Sequence, residues 1–121
     1  MALSSKQPRW DIYETVILLE GYLETLQGIQ SKSQIIKRIS ADLRRMAVNR
    51  CVEIDDVYRN ENGVSYQIQS MDSAFKGQKV YVPATKLFTD AVALYRTDNE
   101  GCQKILGEAK GMITVKKNSR E

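Results

Sequence analysis

The residues of this chain best equipped for chemistry lie between Tyr58 and Phe75, in the stretch YRNENGVSYQIQSMDSAF. Val64, Ile68, Met71 and Phe75 recur at i, i+4, i+7 and i+11, the spacing of one apolar helical face. Ser65, Tyr66, Gln69, Ser70 and Ser73 fall on the other faces, an outward set rich in amide and hydroxyl groups and poor in charge. Such groups donate and accept hydrogen bonds, as contact with base edges and phosphates requires. This helix holds no arginine or lysine before Lys76, which argues against guanine readout.

Other chemistry is sparse. The chain contains no histidine, and its two cysteines, Cys51 and Cys102, stand far apart in sequence without metal-ligand spacing. Zinc fingers, histidine-based triads and histidine-metal enzymes are therefore excluded. There is no glycine-rich phosphate loop and no nucleophile elbow. Asp55 and Asp56 supply too few converging oxygens for a metal and read as a solvated acidic turn. No catalytic residue, cofactor or metal is expected. The two thiols are expected to be free and buried in a cytosolic protein.

Charge adds a second feature. The 18 Lys and Arg exceed the 15 Asp and Glu by only three, short of the excess of a strongly basic nucleic-acid binder. From Lys32 to Arg50, however, Lys32, Lys37, Arg38, Arg44, Arg45 and Arg50 face a single acid, Asp42. One helix thus concentrates the positive charge, either as a solvated face or as a phosphate-contact surface.

The elements that must position these residues follow the hydrophobic pattern. A chain of 121 residues with 42% hydrophobic and 27% charged content suits one soluble domain. Residues 1–8 read as a disordered lead, 9–113 as a helical domain and 114–121 as a flexible tail. No signal peptide and no membrane-spanning run is present, and a cytoplasmic location is expected. Trp10 precedes the first helix as a staple, and Asp11 with Glu14 forms a box-like cap. Helix one is expected from about Asp11 to Gln27, with Ile12, Val16, Leu19, Leu23 and Leu26 as one stripe. Tyr13, Ile17, Leu18 and Tyr22 widen it beyond half the circumference, as in a central helix. Gly28 ends it.

Helix two is expected from Ser33 to about Val48, capped by Ser31 or Ser33, with Ile35, Ile36, Ile39, Leu43 and Met46 inside. In the following segment Cys51, Val52, Ile54 and Val57 are expected to tuck against the core. Helix three is capped by Asn60 or Asn62. Val80-Tyr81-Val82 reads as an extended link or rudimentary wing. Pro83 suits the first turn of helix four, which runs to about Arg96. Thr97 or Asp98 caps helix five, which runs to Ile113. The expected fold is all-α: one domain of about five helices, built on a trihelical helix-turn-helix core from Trp10 to Phe75 with the last two helices across it.

Three segments carry a resemblance. They are Arg9-Trp10 with Glu14, Ile17-Leu18-Leu19 and Tyr22-Leu23; Arg59-Asn60-Glu61-Asn62-Gly63-Val64 with Gln67-Ile68-Gln69-Ser70-Met71; and Lys86-Leu87-Phe88 with Ala91-Val92-Ala93-Leu94-Tyr95. Together they resemble the N-terminal helical module of bacterial HNH-type restriction endonucleases and related mobile-element and defence proteins. Its tryptophan start and third-helix placement are also similar to Myb/SANT-like domains. The resemblance implies DNA contact by the third helix and a catalytic domain elsewhere in a longer chain. The HNH histidines are absent here, so nuclease activity does not carry over.

Double-stranded DNA is accordingly the expected partner. Asn62, Ser65, Tyr66 and Gln69 would face bases, with Asn60 beside them. Lys37, Arg38, Arg44, Arg45, Arg59 and Lys76 would supply the positive surface. Two residues have quieter readings: Tyr66 as a half-buried rim aromatic, and Arg59 as the partner of Asp55 or Asp56. The alternative function is a protein-interaction or dimerisation module, with a protein partner or fused nuclease domain. A small enzyme is the remote alternative.

Overall fold

Helix one begins where local hydrogen bonding forces it to begin. The Asp11 carboxylate accepts from the Glu14 amide at 2.9 Å, and Glu14 Oε1 accepts from the Asp11 amide at 3.2 Å. This reciprocal box satisfies two donors that a helix start leaves orphaned. The computed structural model describes residues 8–114. Five helices follow in order: α1 (Ile12–Gln27), α2 (Lys32–Asn49), α3 (Glu61–Lys76), α4 (Lys86–Thr97) and α5 (Asn99–Ile113). The protein is all-α, and no strand occurs among the described residues. The expected lead and tail fall almost entirely outside them.

The caps are side-chain oxygens in sequence-legible positions. Ser31 accepts from Gln34, Asn60 from Gly63, Thr85 from Phe88 and Asp98 from Gly101. Gly28 and Gly77 close α1 and α3 in the left-handed conformation. Helix α4 starts at Lys86 rather than at Pro83, because Thr85 is the residue that caps it. The Val80–Val82 triplet is not a strand. It is tied to α3 instead: Ser73 Oγ accepts from the Val80 amide at 3.0 Å and donates to the Val82 carbonyl at 2.6 Å. Ser70 Oγ donates to the Pro83 carbonyl at 2.8 Å. Both serines are thereby buried, contrary to the outward position that helical spacing gave them.

Helix α1 is the axis of the molecule. It touches each of the other four helices, while α2, α3, α4 and α5 contact one another in a closed ring, α5 returning to α2. Residues Val16 to Leu19 are consecutive yet all buried, which only a helix surrounded on every side permits. Leu26 departs from the expected stripe: it lies past the ring and is exposed. The expected tucking of Cys51, Val52 and Val57 also fails. All three are exposed, Ile54 is half-buried, and Tyr58 is the apolar residue of that segment that enters the core. Cys51 is therefore a free exposed thiol and Cys102 a free buried one.

The ring is fastened at its ends. The Asn49 side-chain amide donates to the carbonyls of Met112, Ile113 and Thr114 at 2.9, 3.1 and 3.4 Å, binding the end of α2 to the end of α5. Lys110 pairs with Glu20 at 2.8 Å. Helix α2 packs closely on α1 at Gly21, where an added Cβ would stand 2.3 Å from Ile39 Cδ1. Gly21→Ala is therefore expected to destabilise the fold by about 1–3 kcal/mol through overpacking. Urea unfolding checks this, and an unchanged midpoint would show that Ile39 yields freely.

Candidate functional site

Arg59 organises the approach to α3. Its backbone is left-handed, at φ +47°, a region that side-chain-bearing residues occupy only when their surroundings hold them there. The surroundings do so from several directions. Arg59 Nε and Nη2 donate to the two carboxylate oxygens of Glu14 at 2.8 and 3.1 Å. Nη2 also donates to the carbonyls of Pro8 and Arg9 at 3.0 and 3.3 Å. The guanidinium lies over the rings of Trp10 and Tyr58, at 4.7 and 4.4 Å from their centroids. The Ser40 hydroxyl donates to the Arg59 carbonyl at 2.7 Å.

Arg59 is 6% exposed and Glu14 4%. Both sequence readings of Arg59 are thus corrected. It is not at the surface to hold a phosphate, and its acid is Glu14, 45 residues away, rather than Asp55 or Asp56. Tyr58 completes the cluster by donating its hydroxyl proton to Glu14 Oε2 at 3.0 Å. Burial, together with the nearby Glu14 charge, pushes the Tyr58 phenol up to about 12.

The other predicted residues divide by what their side chains already touch. On α2, Arg44 Nη1 donates to the carbonyls of Tyr58 and Asp55 at 2.6 and 3.1 Å and so holds the 50–60 segment. Arg38 pairs with Glu24 at 2.8 Å. Lys76 pairs with Asp72 at 3.2 Å, within α3. Lys37 and Arg45 are exposed and have no hydrogen-bond or ion-pair partner among the described residues. Arg44 and Arg45 are therefore not equivalent, although adjacent.

Asn60 engages its Oδ1 as the α3 cap, at 2.8 Å from the Gly63 amide. Asn62 is exposed, and Ser65 and Gln69 are half-exposed. Tyr66 is 55% exposed, so the rim-aromatic reading understates how far it stands out. The amino-terminal half of α3 thus presents an open polar face, while the 78–84 segment covers its other half.

Two depressions border these residues. A shallow groove of about 630 Å³ is lined by Lys37, Ser40, Arg44 and Arg45 of α2, by Ile54 and by Glu61 at the start of α3. It joins the unpartnered cations to the α3 entrance. A cleft of about 520 Å³ lies at the other end of α3, between Tyr22, Thr25 and Leu26 of α1, Lys32, Ile68, Gln69, Asp72 and Tyr81. Tyr22, read as core, is buried, and its hydroxyl donates to Asp72. Sequence reading gave no role to Asp72 or to Tyr81, which lay in an expected extended link or rudimentary wing. Among the described residues no group of three His, Cys, Asp or Glu side chains could hold a metal ion, and no helix is long and apolar enough to cross a membrane.

No protein-family model, curated protein or solved structure matches the chain.

Truncating Arg59→Ala leaves Glu14 buried without its cation and is expected to cost about 3–5 kcal/mol, read from urea unfolding. A loss below about 1 kcal/mol would mean that water replaces the guanidinium. A pH effect follows from the two buried phenols. Burial and the bond to Asp72 raise Tyr22, as burial and Glu14 raise Tyr58. A raised folded-state value means that the protein binds more protons than the unfolded chain at high pH. This contribution to stability is complete below pH 10 and is lost as pH rises towards about 12 and beyond. Circular dichroism melts from pH 9 to 12 are expected to fall in this window, and less steeply in Tyr22→Phe/Tyr58→Phe.

Proposed function

We propose that this chain is a DNA-binding helical module, with α1 to α3 as a trihelical helix-turn-helix-like core. The amino-terminal half of α3 would lie in the major groove. The observation that carries this reading is the pairing of two surfaces. Asn62, Ser65, Tyr66 and Gln69 form an open face of amides and hydroxyls, and Lys37 and Arg45 on the neighbouring helix are exposed cations without an ion-pair partner among the described residues. Unneutralised cations release counterions from phosphate, whereas paired ones contribute little. The phosphate surface is smaller than the basic composition of α2 implied. Arg38 and Lys76 are engaged in exposed pairs that a phosphate would have to displace, and Arg59 is absent from it.

The resemblance to modules of restriction and defence proteins supports a targeting role beside a nuclease domain in a longer chain. On this reading the chain is not itself the enzyme.

One observation favours a second reading, a protein-interaction module. Val48 is exposed and lines the α2 groove with the half-buried Ile54, giving that groove an apolar component. Salt separates the two, since counterion release makes DNA affinity fall steeply with ionic strength and an apolar contact does not.

The direct test is Lys37→Glu/Arg45→Glu, in which both positions are exposed and the fold should stand. Anisotropy with a labelled mixed-sequence duplex is expected to show at least tenfold weaker binding. The salt slope should become shallower by about two, one per lost phosphate contact. Unchanged affinity in a folded double variant would sink the proposed surface. Arg44 is deliberately spared, because its substitution also frees the carbonyls of Asp55 and Tyr58.

A further inference from the structure

The cleft between α1, α3 and the 78–84 segment combines features that the proposed groove contact does not use. Its apolar lining is the buried Ile68 and the exposed Leu26. At its edge Tyr81 is 79% exposed, with its ring free of any aromatic or cationic contact among the described residues. The Tyr81 segment is nonetheless tied down on either side, through Val80 and Val82 to Ser73. An aromatic ring held out in solvent on an anchored segment is a stacking platform.

The polar groups around it are placed for a hydrogen-bonding ring. Asp72 makes both of its contacts through Oδ1, accepting from the Tyr22 hydroxyl at 2.5 Å and pairing with Lys76 at 3.2 Å. Oδ2 remains to accept from a ligand. The Gln69 amide offers one donor and one acceptor function in the same cleft. Lys32 lies at its border with no ion-pair partner among the described residues. The volume, about 520 Å³, lies in the range of small-molecule sites.

We infer that this cleft takes a single unpaired nucleotide of the DNA: its base stacks on Tyr81 above Leu26 and Ile68, donates to Asp72 and meets the Gln69 amide, while Lys32 takes a phosphate. The inference rests on the DNA-binding reading and deepens it. Gln69 belongs both to the open face of α3 and to the cleft, so a strand following that face arrives at the cleft mouth. A carboxylate acceptor pairs with the exocyclic amine of adenine, cytosine or guanine, whereas thymine offers only its ring N3–H, so thymine is the poorest donor of the four. A fully paired base is stacked and cannot offer its face to Tyr81 or its pairing edge to Asp72, so duplex alone leaves the cleft empty.

The test compares three labelled duplexes by anisotropy with the whole chain: one fully paired, one with a single bulged adenine, one with a bulged thymine. One base stacked on an aromatic ring corresponds to roughly tenfold in affinity. The bulged adenine is expected to bind about tenfold more tightly than the paired duplex, with the bulged thymine between them. Tyr81→Ala, at an exposed position, is expected to bring the three affinities together, and Lys32→Glu to narrow the same gap. Equal affinity for all three duplexes with the unaltered chain overturns the inference and leaves the groove reading standing. Binding of the bulged duplexes alone upholds the cleft and overturns the groove. No binding of any duplex at low salt overturns both.

Discussion

The buried pair of Glu14 and Arg59 is the contact on which the placement of α3 depends. Two charges are taken almost wholly out of water, which is tolerable because they meet each other and further polar partners. Glu14 receives the guanidinium, the Tyr58 hydroxyl and the Asp11 amide; Arg59 Nη2 also donates to the carbonyls of residues 8 and 9. The same carboxylate that closes the capping box of α1 therefore fixes the residue just before the α3 cap. Because the pair spans 45 residues, it couples the first turn of the central helix to the entry of the helix proposed to meet DNA. The Trp10 ring closes one side of the guanidinium and meets Phe88 of α4 edge-on at 5.8 Å, so the network also reaches the far side of the ring of helices.

Helix α3 is divided by its neighbours rather than by its own sequence. Its buried face runs the whole length, from Val64 through Ile68 and Met71 to Ala74. Its outer side is open towards the amino terminus and roofed towards the carboxyl terminus, where Ser70 and Ser73 satisfy the 80–83 backbone. This gives the roof a purpose that a free loop lacks, since it holds Tyr81 beside Gln69 and Asp72. The open face and the cleft are thus consecutive along one helix, and both belong to the proposed nucleic-acid surface.

On α2 the count of basic residues overstates the available charge. Arg38 neutralises Glu24, Arg50 neutralises Asp11 at 2.9 Å, and Arg44 serves backbone carbonyls. Arg50 also lies over the Tyr13 ring at 5.9 Å, closing the start of α1. Lys32, Lys37 and Arg45 reach solvent without an ion-pair partner among the described residues. A helix can therefore look like a phosphate-binding element in sequence while much of its charge stabilises the fold. The burial that raises the Asp42 carboxyl, opposed by Arg38 and Arg45, belongs to the same redistribution.

Much of the fold was legible in the sequence because it is decided locally. The Asp11–Glu14 box, the Ser31, Asn60 and Asp98 caps and the glycine stops act within one helical turn, so residue types at fixed spacing reveal them. The all-round apolar pattern of Tyr13 to Tyr22 likewise identified a central helix, since only surrounding partners can bury such a face. Tertiary structure alone decided the rest. Helical spacing cannot show that Ser70 and Ser73 are covered by a segment that folds back, nor that Tyr58 enters the core while Val57 stays in water. It cannot tell an arginine at the surface from one drawn 45 residues back to a buried glutamate, because charge alone does not choose its partner. The candidate site falls on that side of the line: Asn62, Tyr66 and Gln69 were visible as an outward set, but the cleft that joins Gln69 to Tyr22, Asp72 and Tyr81 exists only once three separate segments are packed together.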